Sequence, residues 1–455
     1  MSRGKEERDR AGGGAGHYRT ELEVVRRFVR LSRMNFSVDG EFYPLGSCTM
    51  KYNPKICDTI ASLPGLRDLH PFLLESSEAE EAAFLRGVLS DLSRMLGLLT
   101  GMKAFALSPA AGAHGELTGC LLIRRYHEEN GEGHRNEMLI PDSAHGTNPA
   151  SAVLAGFKVV SVKTAPDGCV DIEDLRGKIR SSTAGMMMTN PNTLGLFEAR
   201  VEEIARLVHG VGGLMYYDGA NLNALVGWGR IADMGFDLCH LNLHKTFAVP
   251  HGGGGPGAGP VGAAKHLAEL LPGPLFEGDE ARFPERSIGR VIAYGGNIGA
   301  LVRAYVYLRL MGLEGLRRAA RDAVLAANYL RVELKEDYPS PYSEYPCAHE
   351  CLLSAARLKK ERGLTALDVA KGLIEHHMHP PTIYFPLLVS EALLIEPTES
   401  ECLETLDDFV RVMKKIARSS PEEARTWPTW TPVSHPDEAR AARRPVIHGP
   451  LRLAL

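Results

Sequence analysis

A lysine closes the run DLCHLNLHK at residues 237–245, where an apolar-alternating segment gives way to a glycine-rich stretch. An ammonium taken out of water loses part of its preference for the charged form, which leaves a nucleophilic amine suited to Schiff-base chemistry. The plain alternative is a lysine whose stem covers apolar surface while its head reaches solvent. Asp218 ends the preceding apolar run, in LMYYDGAN. A carboxylate there is costly unless it meets a cation or a protonated ring nitrogen, although a helix cap or turn would also accept it. His145 follows the run EMLIP, in PDSAHGTNPASA, where a flat ring could stack on a planar group or simply satisfy a turn. Upstream, SPAAGAHGELTG opens a helix expected to run to about Tyr126. Free amides at a helix N-terminus attract phosphate, and Gly112 and Gly115 let a backbone come close; an ordinary glycine-rich helix start is the alternative.

What must position these groups is a repeating pattern. Short apolar runs (EMLIP, KVVSV, GMMMT, GLMYYD, FDLCHLNL) alternate with helix-like stretches such as IEDLRGKIR and VEEIARLVH. Strand and helix in turn predict a mainly parallel sheet covered on both faces, with ligands at the carboxyl ends of its strands. A phosphate cradle, a stacking ring, an acid for a ring nitrogen and an amine on one sheet edge together describe a pyridoxal 5′-phosphate site.

The pattern divides the chain. Residues 1–80 form an N-terminal arm, with a helix over 22–34 and the turn-rich segment NFSVDGEFYPLGSCTMKYNPK. Residues 81–310 make the large cofactor domain, introduced by an expected capping box of Ser77 with Glu80 and an amphipathic helix ending near Thr100-Gly101. Residues 311–455 make a smaller α+β domain, with strands expected in CLLSAARL and TIYFPLLV and a proline-rich tail wrapping over another surface. The length of 455 residues suits two domains, and the net charge of −4 gives no reason to expect nucleic acid or membrane as partner. The N-terminus lacks the apolar core of a secretory signal, and eight cysteines without a CxxC pair are expected as reduced thiols in the cytoplasm.

Competing motifs do worse. GAGPVG satisfies GxGxxG literally but follows a loop and contains Pro260. HGGGG lacks a GxSxG partner, there is no GxxxxGK[ST], and the histidines of EHHMHPP have no companion ligand motif, so no metal is expected.

The segments YPLGSCTMKYNP, PAAGAHGELTG, IPDSAHGTNPASA, TNPNTLGLFE, DGANLNA, LNLHKTFAVPHGGGGPGAGPVG and HPPTIYFPLLV occur in that order. Over roughly residues 23–445 the chain resembles the P-protein family of the glycine cleavage system, glycine decarboxylase, and within it subunit 2 of the two-subunit form. The resemblance implies a fold-type I architecture with a sheet of the seven-stranded type. It implies Lys245 as the cofactor's Schiff-base lysine, Asp218 on the pyridine nitrogen, Ala220 beneath the ring and His145 above it. Gly112, Ala113 and His114, joined by His244, would meet the phosphate, and Asn190 and Asn221 would lie near the ring's 3′-oxygen. Ser47, Cys48, Thr49 and His379 would lie near the substrate. The activity implied is decarboxylation of glycine, with the aminomethyl group passed to the lipoyl group of H-protein. Subunit 1 would be the partner in a two-plus-two heterotetramer. The alternatives are another fold-type I decarboxylase or desulfurase without a lipoyl carrier, and a non-catalytic scaffold, against which the intact Lys245 and Asp218 argue.

Overall fold

A computed structural model of the chain describes residues 20–76, 78–252 and 257–446. Seven strands, β1 (Ala104–Ala106), β2 (Glu137–Pro141), β3 (Lys158–Val162), β4 (Thr183–Met188), β5 (Leu214–Gly219), β6 (Leu238–Leu241) and β7 (Val261–Ala263), form one sheet. Their order is β1-β7-β6-β5-β4-β2-β3. Neighbours from β3 through β6 pair in parallel, and β7 is antiparallel to both β6 and β1. Two reversals leave β1 parallel to β6. The turn after β1 therefore opens on the same edge as the turns after β2, β4, β5 and β6.

Both faces of this sheet are covered, which is why its strands read as apolar runs rather than as clean alternation. Successive side chains of β5 point to opposite sides. Leu214 and Tyr216 join the core beneath the helices Gly112–Glu129 and Thr147–Leu154. Met215 and Tyr217 join the core that includes side chains of the helices Glu80–Thr100 and Val201–Gly210. Met186, Met187 and Met215 are fully buried, and each contributes roughly 1.5–3 kcal/mol of hydrophobic stabilisation.

The helix Glu80–Thr100 starts on Ala79, with no side-chain cap, which makes Glu80 the first helical residue rather than the third that a capping box needs. Ser77 lies outside the described residues. At the other end Gly101, at φ +79°, takes the left-handed turn that stops the helix as expected.

The helical stretch Ile298–Leu334 links two cores. It breaks at Gly312, whose φ of 57° and ψ of −179° separate two helices. Residues up to Ala320 pack into the large core, and Ala327, Leu330 and Leu334 into a second one. After the hairpin β8 (Leu275–Glu277) and β9 (Glu280–Arg282), that second core surrounds a small antiparallel sheet, β10-β12-β11. Its strands are β10 (Cys351–Ser354), β11 (Thr382–Ile383) and β12 (Ala392–Ile395). Two expectations change here. CLLSAARL is a strand only to Ser354 and then turns into the helix Ala356–Arg362. TIYFPLLV pairs only over Thr382–Ile383, because the run meets Pro386, which has no amide to donate, and leaves Leu387 90% exposed. The central strand is instead β12, within EALLIEP.

The arm crosses both cores. Its helix Glu21–Ser32 buries no residue, whereas Phe42 enters the second core and Leu45 bridges to Ile395. The tail folds back on the small domain: Trp427 is buried there, and Trp430 Nε1 donates to the Ile374 carbonyl at 2.9 Å. All eight cysteines are free thiols. Among the described residues no helix is long and apolar enough to cross a membrane.

Candidate active site

The turns at the carboxyl edge of β1, β2, β4, β5 and β6 surround a cavity of about 310 Å³, closed on one side by Ser47 of the arm and by His349 and Glu350 ahead of β10. Nine of the sequence-predicted residues line it: Ser47, Gly112, Ala113, His145, Asp218, Ala220, Asn221, His244 and Lys245. His114, Asn190, Cys48, Thr49 and His379 do not.

Asp218, on β5, is 3% exposed. The Ala220 amide donates to its Oδ1 at 3.0 Å, and Asn148 Nδ2 donates to its Oδ2 at 2.7 Å. Parallel register sets His240 of β6 beside it, with Nε2 3.3 Å from Oδ1. Burial lowers the His240 pKa although Asp218 opposes this, so the ring is neutral. Its Nδ1 lies 2.8 Å from the buried Tyr216 hydroxyl. Asn148 Nδ2 also reaches Glu116 Oε2 at 2.9 Å. Burial and the Asp218 charge push the Glu116 carboxyl up to about 8. Asp218 is thus held among neutral neighbours.

Lys245 sits four positions past β6, in a turn rather than in the strand. The turn is fastened from both sides. The Leu222 amide donates to Thr246 Oγ1 at 2.8 Å, and Lys51 Nζ donates to the Thr246 carbonyl at 2.7 Å. Lys51 is 4% exposed. Burial works against its charge, but Glu399 at 2.7 Å and the Tyr307 hydroxyl at 3.1 Å outweigh it and hold the ammonium above the usual lysine range. Lys245 Nζ itself has no hydrogen-bond or ion-pair partner among the described residues.

The helix Gly112–Glu129 points its N-terminus at the cavity, with Ala111 as a cap that supplies no side-chain acceptor. A Cβ at Gly112 would stand 2.1 Å from Asn242 Oδ1, and one at Gly259 would stand 2.1 Å from the Ala111 carbonyl. Only glycine allows these approaches. Residues 253–256 of the glycine run lie outside the described residues. Asn242 Oδ1 and His244 Nδ1, which line the same cavity, are buried without a partner among the described residues. Burial and the neighbouring His251 bring His244 down to about 3, so it is neutral. His145 Nδ1 lies 2.8 Å from Thr147 Oγ1, and its ring stands edge-on to Phe385 at 5.6 Å. Burial lowers its pKa.

The remaining predicted residues take up other positions. His114 turns back, accepting from the Ala110 amide at 3.2 Å, and lines a separate hollow beside Val291. Asn190 is buried with its oxygen on the Glu198 amide at 2.9 Å. His379 stacks on Tyr43 at 3.6 Å between ring centres. Cys48 is half-buried, and burial raises its thiol. Thr49 serves Glu396, through Oγ1 at 2.5 Å and its amide at 3.2 Å.

Lys51, Glu116, Asn148, Asn242, His349, Glu350 and Glu396 were not singled out from the sequence. Two carried a usable signal. Glu396 directly follows the apolar run ALLI, as Asp218 follows LMYY, and Glu116 shares a helix face with Cys120 and Ile123, all buried.

Comparison with known proteins adds the family. Residues 319–427 match the family described as glycine dehydrogenase, C-terminal domain. Over 440 residues the chain is 53% identical to the probable glycine dehydrogenase (decarboxylating) subunit 2 of Methylococcus capsulatus, covering 94% of this chain and 89% of that one. The protein of the same description from Treponema denticola is 50% identical over the same length, with the same coverage. Among solved structures, a glycine decarboxylase (P-protein) of the glycine cleavage system in inhibitor-bound form aligns with a TM-score of 0.71 at 20% identity, over 91% of this chain and 98% of that one. A cysteine desulfurase from Thermococcus onnurineus aligns at 0.64 and 16%, over 84% and 95%. These distant structures establish the fold, that of the fold-type I pyridoxal-phosphate enzymes. With half of its residues shared along nearly its whole length, the chain belongs to the glycine dehydrogenase (decarboxylating) subunit 2 family.

Proposed function

We propose that this chain is the lysine-bearing subunit of a glycine decarboxylase, which releases the carboxylate of glycine as CO2 and passes the aminomethyl group to the lipoyl disulfide of H-protein. The observation that carries this reading is the pairing of Lys245, an amine with no partner among the described residues, with Asp218 in one cavity.

The residues present fit pyridoxal 5′-phosphate. Buried, unpartnered Asn242 Oδ1 and His244 Nδ1 beside an uncapped helix end are polar atoms in want of a ligand, and Gly112 keeps that end open. Gly112 and Ala113 would take the phosphate on their amides, with His244 beside them. Lys245 would hold the carbonyl carbon, Asp218 the pyridine nitrogen, and His145 and Ala220 the two ring faces. Asn221 lines the cavity with its side-chain amide given to Thr49 and Glu396, which leaves no hydrogen for the ring's 3′-oxygen. When bound, the cofactor supplies an electron sink for the pair left behind by CO2. The chain's own part is to keep a proton on the ring nitrogen. Asp218 does so from a buried position ringed by Asn148, His240 and a backbone amide, none of which carries a competing charge. The pinned turn around Thr246 keeps the Lys245 amine aimed into the cavity.

The description of the relatives as subunit 2 supports a partner chain, subunit 1; the assembly we propose is two-plus-two. Eight free cysteines favour a reducing compartment, the cytoplasm. The test is co-expression with the partner subunit, followed by sizing and exchange of labelled bicarbonate into glycine, with and without H-protein. Full activity of this chain alone would remove the partner assignment, and exchange indifferent to H-protein would favour an enzyme without a lipoyl carrier.

A further inference from the structure

One wall of the cavity holds a carboxyl group and an imidazole, Glu350 and His349, that the proposed decarboxylation leaves unused, with a second carboxyl, Glu396, close by. Ligand atoms of His349, Glu350 and Glu396 lie within 4.8 Å of one another, and all three residues are buried. Glu396 is already engaged by two side-chain amides, a hydroxyl and a backbone amide. The Thr49 amide donates to its Oε2, while Thr49 Oγ1, Asn221 Nδ2 and Asn223 Nδ2 approach its Oε1 at 2.5, 3.0 and 2.9 Å. Its Oε1 is crowded by three donors and its Oε2 holds the Thr49 amide, and Glu396 does not line the cavity.

Glu350 and His349 are different. Glu350 is 4% exposed, lines the cavity and accepts one hydrogen bond, from the Ser47 amide at 2.8 Å; its other oxygen has no partner among the described residues. Ser47 reaches it from the left-handed conformation, at φ 66°. His349 is 3% exposed, lines the same cavity, and its Nδ1 is buried without a partner among the described residues. Burial, then the charge of Glu396, pushes Glu350 up to about 8, and burial lowers His349. Near neutral pH both are therefore uncharged, and both carry a hydrogen to donate. Among the described residues the only lysine or arginine lining the cavity is Lys245, which the proposed function assigns to the cofactor.

Resting on that reading, we infer that Glu350 and His349 receive the carboxylate of the amino-acid substrate through hydrogen bonds, with no guanidinium. The chemistry of the step explains the choice. A carboxylate that must leave as neutral CO2 loses any ion pair it has made, and an interaction stronger in the ground state than in the transition state slows the reaction. Neutral donors orient the group while stabilising its charge less than an arginine would. The charged and titratable groups around the pair are Lys245 beyond β6, Glu396 and Glu399 beyond β12, Cys48 in the arm, and Cys347 and Cys351 on either side of the pair in the chain.

The experiment uses the complete enzyme, this chain with its partner subunit and pyridoxal phosphate, and reads amine binding from the visible spectrum rather than from turnover. Glycine is compared with methylamine, the same amine without a carboxylate. Glu350→Ala is expected to weaken glycine about tenfold or more, the loss of a hydrogen bond to a charged group, while methylamine stays within about twofold. Glu350→Gln keeps a donor of similar shape that cannot ionise. It is expected to hold glycine within about threefold of wild type at pH 7, and to keep holding it above pH 8, where wild type weakens. Equal weakening of both amines in Glu350→Ala, or unchanged glycine binding, would overturn the inference. If Glu350→Ala does not fold, the pH series decides, and a Glu350→Gln profile identical to wild type from pH 7 to 9 overturns it. A wild-type enzyme without a cofactor band would instead defeat the underlying cofactor reading.

Discussion

His240 Nε2 stands 3.3 Å from Asp218 Oδ1 because β5 and β6 pair these two residues in parallel register. The sheet thus sets a neutral ring beside the acid, and Asn148 supplies a hydrogen-bond donor from the helix Thr147–Leu154. An amide at 218 would keep the shape and lose the charge that holds a proton on the ring nitrogen. Asp218→Asn should lower glycine–bicarbonate exchange by about 10²-fold or more while the variant still folds and takes up cofactor. Exchange within about threefold of wild type would show that the acid does not serve the ring.

Lys245→Ala removes the only amine side chain among the described lining residues, so it should abolish both the visible band of the lysine-bound cofactor and all CO2 exchange. Exchange surviving in this variant would sink the assignment of Lys245.

Lys51 is the buried counterpart that keeps Lys245 in place, through the Thr246 carbonyl and Glu399. Lys51→Met keeps most of the volume but strands Glu399, which is only 14% exposed, and the carbonyl. The expected cost is about 3 kcal/mol, read as a lower urea midpoint, with weaker cofactor retention. An unchanged midpoint would mean that the Glu399 carboxyl finds solvent instead.

Much of this was legible in the sequence. EMLIP and KVVSV are strands β2 and β3 residue for residue; β2 is buried almost throughout, and β3, at the sheet edge, keeps its apolar Val159, Val160 and Val162 between turn-forming neighbours. Lys245, Asp218 and His145 were legible because each follows such a run. The small sheet was harder. Its strands are two to four residues long, too short for a period, and β propensity drew the reading to TIYFPLLV although the pairing lies in ALLI. Glu350 and Ser47 are 303 positions apart in the chain and meet only through folding. No local pattern joins them.

Gly112 tests the cradle separately from the lysine. Gly112→Ala would force its Cβ against Asn242 Oδ1, 2.1 Å away, so either the helix end or Asn242 must move. Cofactor affinity should fall about tenfold or more, whereas free phosphate at high concentration should no longer compete as it does in wild type. Wild-type affinity in this variant would place the phosphate elsewhere.

The last prediction concerns pH and needs no substrate. Glu116 is 5% exposed, and burial and Asp218 raise its pKa from 4.5 to about 8; Glu350 is raised to about 8 by burial and Glu396. The folded chain therefore holds protons that the unfolded chain has released between about pH 4.5 and 8. Stability falls with pH wherever the native state binds more protons. The contribution of these two groups is fully present below their unfolded pKa and is lost as pH rises through the folded value. A tenfold difference in proton affinity between the folded and unfolded chain is worth about 1.4 kcal/mol, so the pair accounts for a change of several kcal/mol across that window. Glutamine at both positions keeps the volume and cannot ionise. The urea midpoint of the cofactor-free wild type should drop between pH 5 and 8.5, and Glu116→Gln/Glu350→Gln should flatten that drop. A double variant with the wild-type slope would mean that both carboxyls are already ionised at neutral pH, and Asp218 would then share its cavity with a second anion.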